Sequence, residues 1–396
     1  MRINELISRD PAAWTTILQQ HAATQAVSVT HVAATALNRS LIRFSLTLAE
    51  HSDPITLIGK RTNAAEAAFY RDLGPRLSFL TPRCWYSYVG EERGWVVIED
   101  VPDNRPPEKW HDRDVERVVS NLAALHIAHW NRPTELQAYS WLPWFLWSTT
   151  PHETWSPLAE NIRLSRSASH LVSPHAIASA GPLTLEFYRA AVCLATLQKL
   201  GGWPGVIDQP FLDALADLLD DPVPMLYPLR SLPSTLLHGE PAPRHWRLTL
   251  FGDCNLLDWQ GVSIGPSVCD LVSFVENIEQ VNSLAVGEQP RDVTQLRMET
   301  LVDSYLLRMY EALWPLFNPR ELRKAMPAAQ CLYVLTQWLP LLSHWFEPLV
   351  EDDTTLLKFG RITDQHLLEA GCIDAVRCRP YLADLVQRFM QAFRAL

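Results

Sequence analysis

The sequence has no apolar run approaching the ~20 residues needed to span a bilayer, so no membrane-crossing helix is expected. Its first ten residues, MRINELISRD, carry no apolar signal core, and secretion is not expected. It lacks a basic excess. The 34 Lys and Arg against 44 Asp and Glu give a formal net charge of −10, which argues against nucleic acid or an anionic membrane as partner. None of the seven cysteines forms a CxxC pair and their number is odd, which points to reduced, mostly buried thiols in a cytoplasmic protein. No internal repeat interrupts the chain. What is present is a globular composition, 47% hydrophobic and 20% charged over 396 residues, enough for two domains or one large two-lobed domain.

Period-two patterning dominates the first hundred residues. VSVTHVAA, SLIRFSLTLA and PITLIGK read as strands after an opening helix over residues 3–20. Thr62 to Leu73 reads as a helix with a polar start and an apolar face, and CWYSYVG and GWVVIED as two further strands. VPDNRPPEK, residues 101–109, carries three prolines and reads as a hinge. Beyond it, helical periodicity covers Val115–Trp130 and residues 182–200, 208–220, 290–315, 320–346 and 373–395. The aromatic stretch WLPWFLW, residues 141–147, is a loop or a short helix.

The segment Thr235 to Phe274 carries the chemistry. An apolar run ends in His238, Gly239 and Glu240; a short loop leads to His245 and Trp246; a strand-turn-strand pattern then delivers Asp258, and Asp270 heads a helix. A carboxylate on a glycine turn with a second at a strand end can position a hydroxyl and a metal for phosphoryl transfer. That chemistry consists of placement and charge neutralisation, so it leaves acids and a lysine and no nucleophile.

In this order, the pieces resemble the aminoglycoside phosphotransferase and ecdysteroid-kinase-like group of small-molecule kinases over roughly residues 25–280. ITLIGKRT with EAAFYRDL resembles the third strand and following helix of the small lobe, and WVVIEDV the hinge strand. LAALHIAHW resembles the helix beyond the hinge, HGEPAPRHW the catalytic loop, LLDWQ the metal-binding strand and GPSVCDLVSF the bracing helix. The resemblance implies an α+β, protein-kinase-like fold: a small antiparallel-sheet lobe over 1–100, a hinge over 101–109 and a larger helical lobe over 110–396. It implies ATP and Mg²⁺ as cofactors and a small-molecule hydroxyl acceptor as partner.

The same resemblance gives each residue a role, beside which a plainer one stands. Lys60 would contact the nucleotide phosphates, or be an ordinary strand-end lysine. Glu66 would orient Lys60, or answer the helix dipole. Glu240, where the family usually has aspartate, would be the catalytic base with His238 before it, or a loop glutamate. Asp258 would bind Mg²⁺, or end a strand in a turn. Asp270 would brace the catalytic loop, or cap its helix. Glu99 and Val101 on the hinge and Ser40 in the covering loop complete the nucleotide site.

Two departures stand out. His245 occupies the family's second metal position in place of asparagine, although Mg²⁺ prefers oxygen ligands. Asn255 is expected on the opposite face of the strand from Asp258. The covering loop ATALNRSLIRF has no glycine, leaving Asn38 to tolerate a positive φ and Ser40 to donate to phosphate. His126, His129 and the run Glu351-Asp352-Asp353 read as packing or solvated features. The fifteen tryptophans, Trp141, Trp144, Trp147, Trp338 and Trp345 among them, read as core before pocket. The expected function is ATP-dependent phosphoryl transfer to a small-molecule hydroxyl. The alternatives are a pseudokinase without turnover and a metabolite-binding protein that takes no nucleotide.

Overall fold

The computed structural model describes residues 10–21, 27–49, 53–147, 170–250, 252–285, 296–351 and 362–396. The molecule is a two-lobed α+β protein. Strands β1 (Val29–Ala36), β2 (Leu41–Leu48), β3 (Ile55–Asn63), β4 (Cys84–Val89) and β5 (Arg93–Glu99) form one antiparallel sheet in the order β1-β2-β3-β5-β4. Alternation decides its two faces. Leu57, Phe44, Leu46, Trp95 and Val97 form one apolar cluster, covered by Trp14, Ile17 and Leu18 of the helix Pro11–His21. Val96 and Ile98 face the other way, into the core continuous with the helical lobe. Lys60 pairs with Val96 across β3 and β5. A Cβ on the adjacent Gly59 would meet the Phe44 ring at 2.7 Å and the Trp95 ring at 2.9 Å, so β3 needs glycine there to lie against that cluster.

The helix read from Thr62 begins later. Thr62 and Asn63 still pair with Gly94 and Arg93, and Asn63 caps the helix Ala64–Asp72 by accepting the Glu66 N–H at 2.9 Å. The proline-rich segment 101–109 is pinned to the helical lobe. Asn104 donates its N–H to Leu248 O at 3.2 Å, and Arg105 pairs with the buried Asp114 at 2.7 Å.

The helical lobe contains Asp112–Ala128, Thr184–Lys199, Gln209–Asp220, Val268–Ala285, Met298–Leu313 and Arg379–Phe393. The expected helix over 320–346 is Pro319–Tyr333, then a π-helical stretch Val334–Trp338, then Leu339–Glu351. The expected helix over 373–395 breaks after Arg377. The helices Pro174–Ala180 and Val223–Arg230 went unread because each is short and proline-started. Trp144 in WLPWFLW makes a parallel bridge to Ile264 and belongs to no helix. Residues 3–9 and 290–295 of the expected helices, and Asp352 and Asp353, lie outside the described residues.

Four short strands position the site: β6 (Ser234–Leu237) pairs with β9 (Ser263–Pro266), and β7 (Trp246–Leu248) with β8 (Cys254–Leu256). The C-terminal helix is tied beneath them through Glu276, fully buried, which Arg388 grips at 2.9 and 2.6 Å and Tyr381 reaches at 3.0 Å. Burying such a pair is tolerated because every carboxylate oxygen has a donor.

Candidate functional site

Between the sheet and the helical lobe lies a cleft of about 720 Å³, lined by Leu37, Leu41, Ile58, Ile98 and Leu257 on its apolar side. Its polar side presents Lys60, Glu66, Glu99, Asp100, Arg244, His245 and Asp258, and Val101 closes it at the hinge. Lys60 Nζ lies 2.9 Å from Glu66 Oε1 and 2.6 Å from Asp258 Oδ1, so one cation holds a carboxylate from each lobe. Glu66 is buried and fully used. It also accepts from the Thr62 hydroxyl and, at 3.1 Å, from the Trp259 N–H.

Asp258 stands two residues past β8 with φ 66°, in the left-handed region, at the head of the turn Trp259–Gly261. That region is open to aspartate more than to most side chains, and strained backbone of this kind concentrates at functional sites. Trp259 fixes it. The indole stacks on Phe69 at 3.9 Å and meets the His238 ring edge-on at 4.7 Å. Strand alternation therefore does not relate Asn255 to Asp258, because only Asn255 is on the strand. Asn255 instead lines a second cavity of about 620 Å³ beside the hinge.

The loop after β6 is built around Asp270. Its carboxylate accepts the N–H of His238 at 2.7 Å and of Gly239 at 2.9 Å, and the His126 ring approaches it at 3.3 Å. His126 is fully buried and its other nitrogen meets the Tyr305 hydroxyl at 2.6 Å, so it is packed as the sequence suggested while also supporting the loop. Gly239 has φ 92°, and a Cβ there would lie 2.3 Å from Gly261 O; only glycine fits. His238 does not face the cleft. Its Nε2 donates to Leu257 O at 2.9 Å and its Nδ1 accepts the Glu240 N–H at 3.3 Å, which fixes the neutral Nε2–H tautomer. Burial depresses this imidazole to a pKa of about 4, against the opposing pull of Asp270. His238 thus sits beneath the loop with both ring nitrogens hydrogen-bonded.

Glu240 is bonded to Arg244 through Oε1, and His245 lies between the two acids, 3.9 Å from Glu240 Oε2 and 3.6 Å from Asp258 Oδ2. Burial raises the Asp258 carboxyl, but the Lys60 charge and hydrogen bond outweigh it and hold it below the usual range. Burial likewise raises Glu240, and His245 with Arg244 brings it below its usual value. Ser40 is not brought to the cleft: its N–H donates to Asn38 Oδ1 at 2.8 Å and its carbonyl accepts from Arg61 at 2.8 Å. Asn38 does not adopt a positive φ; it closes the turn with its side chain instead.

The donor chemistry suits Mg²⁺ only in part. Among the described residues no group of three His, Cys, Asp or Glu could hold a metal ion by itself. A carboxylate fits the ion's preference for oxygen, and Mg²⁺ in phosphate sites commonly takes one or two carboxylates with phosphate oxygens and waters. The imidazole of His245 fits less well.

The family model of the phosphotransferase enzyme family matches residues 12–298, from the first helix to the helix after Asp270. The chain belongs to the phosphotransferase enzyme family. Among solved structures it is similar to an aminoglycoside phosphotransferase from Alicyclobacillus acidocaldarius at 12% identity and TM-score 0.44, over 93% of this chain and 94% of that one. It is similar to an ethanolamine kinase from Plasmodium vivax at 12% identity and TM-score 0.43, over 88% of this chain and 83% of that one. A choline kinase from Cryptosporidium parvum gives 12% identity and TM-score 0.40, over 94% and 97%. No curated protein matches the chain. Within this phosphotransferase, the sequence offered no sign of the Trp259 stack or the His126–Tyr305 contact. The Arg244–Glu240 pair gave no signal either, because four-residue spacing brings side chains together on a helix and residues 240–242 are a loop.

Proposed function

We propose that this phosphotransferase moves the γ-phosphoryl group of ATP to a hydroxyl of a small molecule. The observation that carries the reading is the convergence of Lys60, Glu66 and Asp258 from two lobes on one wall of the cleft. Lys60 contacts the nucleotide phosphates and Glu66 keeps its ammonium aimed there. The apolar side at Leu41, Ile58, Ile98 and Leu257 receives the base, against the hinge at Glu99 and Val101. Asp258, with His245 beside it, would hold Mg²⁺, whose charge neutralises the phosphate oxygens when bound. Glu240 accepts the acceptor's proton. The acceptor oxygen–Pγ bond forms as the bridging oxygen–Pγ bond breaks, and ADP leaves with that electron pair. Asp270 keeps the loop under Glu240 in one conformation.

Thermal unfolding with ATP, with and without Mg²⁺, tests the nucleotide site. Stabilisation by ATP that grows with Mg²⁺ is expected, and none at all would overturn the reading. ATP consumption across a panel of small hydroxyl compounds then tests turnover. Binding without consumption by any of them would leave the nucleotide-binding module without turnover.

A further inference from the structure

Nucleotide-binding sites usually cradle phosphates with backbone N–H groups, and here the turn above the cleft has almost none to give. Leu37 and Asn38 donate to Leu41 O at 2.9 and 3.3 Å, and Ser40 and Leu41 donate to Asn38 Oδ1 at 2.8 and 2.9 Å. Phosphate charge must then be met by side chains. Arg43 is gripped by Asp100 at 2.7 Å, and Arg247 is spent on the carbonyls of Arg244 and Trp246 at 2.8 and 3.0 Å. Arg244 is different. It lines the cleft beside Lys60 and Asp258, and its guanidinium is bonded to Glu240, which does not line the cleft. With His245, which also lines the cleft and lies 3.9 Å from Glu240 Oε2, it joins the donor site to the base. Both partners are accessible, Arg244 at 60% and Glu240 at 42% side-chain exposure, so the pair is a weakly held surface one at four-residue spacing.

We propose that Arg244 exchanges Glu240 for the γ-phosphoryl group when ATP binds, so that the base is released only once the donor is in place. A guanidinium matches a phosphoryl group bidentately as well as it matches a carboxylate, and the phosphoryl carries more charge. While paired to Arg244, Glu240 is a poor proton acceptor with one oxygen occupied. Once released it is free for the acceptor hydroxyl. The inference rests on the proposed phosphoryl transfer but concerns Arg244 alone.

The test is calorimetric titration with β,γ-imido ATP and with ADP, both with excess Mg²⁺, which needs no acceptor. Arg244→Ala should weaken the triphosphate analogue about tenfold and leave ADP within about twofold, the loss of one charge-assisted contact. Arg244→Lys should recover part of that loss. Glu240→Gln, by removing the competing carboxylate, should tighten the analogue about twofold, and this gain should vanish in the Arg244→Ala background. Equal effects of Arg244→Ala on both nucleotides, or a Glu240→Gln gain that persists without Arg244, would overturn the exchange while leaving the nucleotide site standing. If the unaltered protein binds neither nucleotide, the cleft assignment itself fails and the exchange goes with it.

Discussion

Lys60 on β3 and Asp258 beyond β8 are joined by an N–O distance of 2.6 Å, 198 positions apart in the chain. The contact fastens the sheet lobe to the helical lobe at the cleft. It also means that a cation entering beside Asp258 must share it with Lys60. In the proposed function, phosphate oxygens would give the ammonium its alternative partner, and the pair would open when a nucleotide arrives.

Replacing Lys60 tests that relationship first. Lys60→Ala should cost on the order of 1–3 kcal/mol of ATP binding, the worth of charge-assisted contacts to phosphate. Calorimetry reads it directly, and an unchanged affinity would remove Lys60 from the phosphate site.

Asp258 and Glu240 should separate by substitution. Asp258→Asn should abolish the dependence of ATP affinity on Mg²⁺, because the neutral amide is a poor ligand for the ion. Glu240→Gln should cut phosphoryl transfer on the order of 10²-fold or more without weakening ATP. Titrations with and without Mg²⁺, paired with turnover once an acceptor is found, check both. A fully active Glu240→Gln enzyme would show that the proton goes elsewhere.

Acid should destabilise the fold through His238. Its folded pKa of about 4 lies below the ordinary imidazole value of 6.5, so between those limits the unfolded chain binds the extra proton and folding weakens as pH falls. The contribution is complete above pH ~6.5 and is lost on the way down to ~4; from pH 7 to 5 it amounts to about 2 kcal/mol. Asp270 and Asp258 oppose the depression while His245 adds to it, and burial dominates all three. Urea unfolding at pH 7 and 5 should show the loss in the natural protein and a smaller one in His238→Gln. Equal slopes in both would assign the acid sensitivity to other groups.

Gly239→Ala should destabilise the protein by about 2 kcal/mol or more, since it forces a side chain into positive φ against the Gly261 carbonyl. Equilibrium unfolding measures it. A shift below ~0.5 kcal/mol would mean the loop relaxes freely, which would also weaken the case for a rigid bed beneath Glu240.

The sequence by itself determined the parts of this phosphotransferase that depend on neighbours in the chain. Period-two runs made the five strands, and Lys60 with Glu66 six positions later fell at a strand end and a helix start. The glycine before Glu240 announced a turn, and Asp270 stood in the first turn of its helix. Where local rules compete, the reading slipped. Thr62 and Asn63 stayed in β3 because β5 pairs with them, and Asp258 left the strand because the Trp259 stack on Phe69 turns the chain there. Only the tertiary structure decided that Lys60 reaches Asp258, that His126 supports Asp270, that Ser40 stays out of the cleft and that Arg244 stands between the cleft and Glu240. Periodicity and turn chemistry act over a few residues, whereas these relationships are fixed by how two lobes pack, and packing distances have no counterpart in sequence spacing.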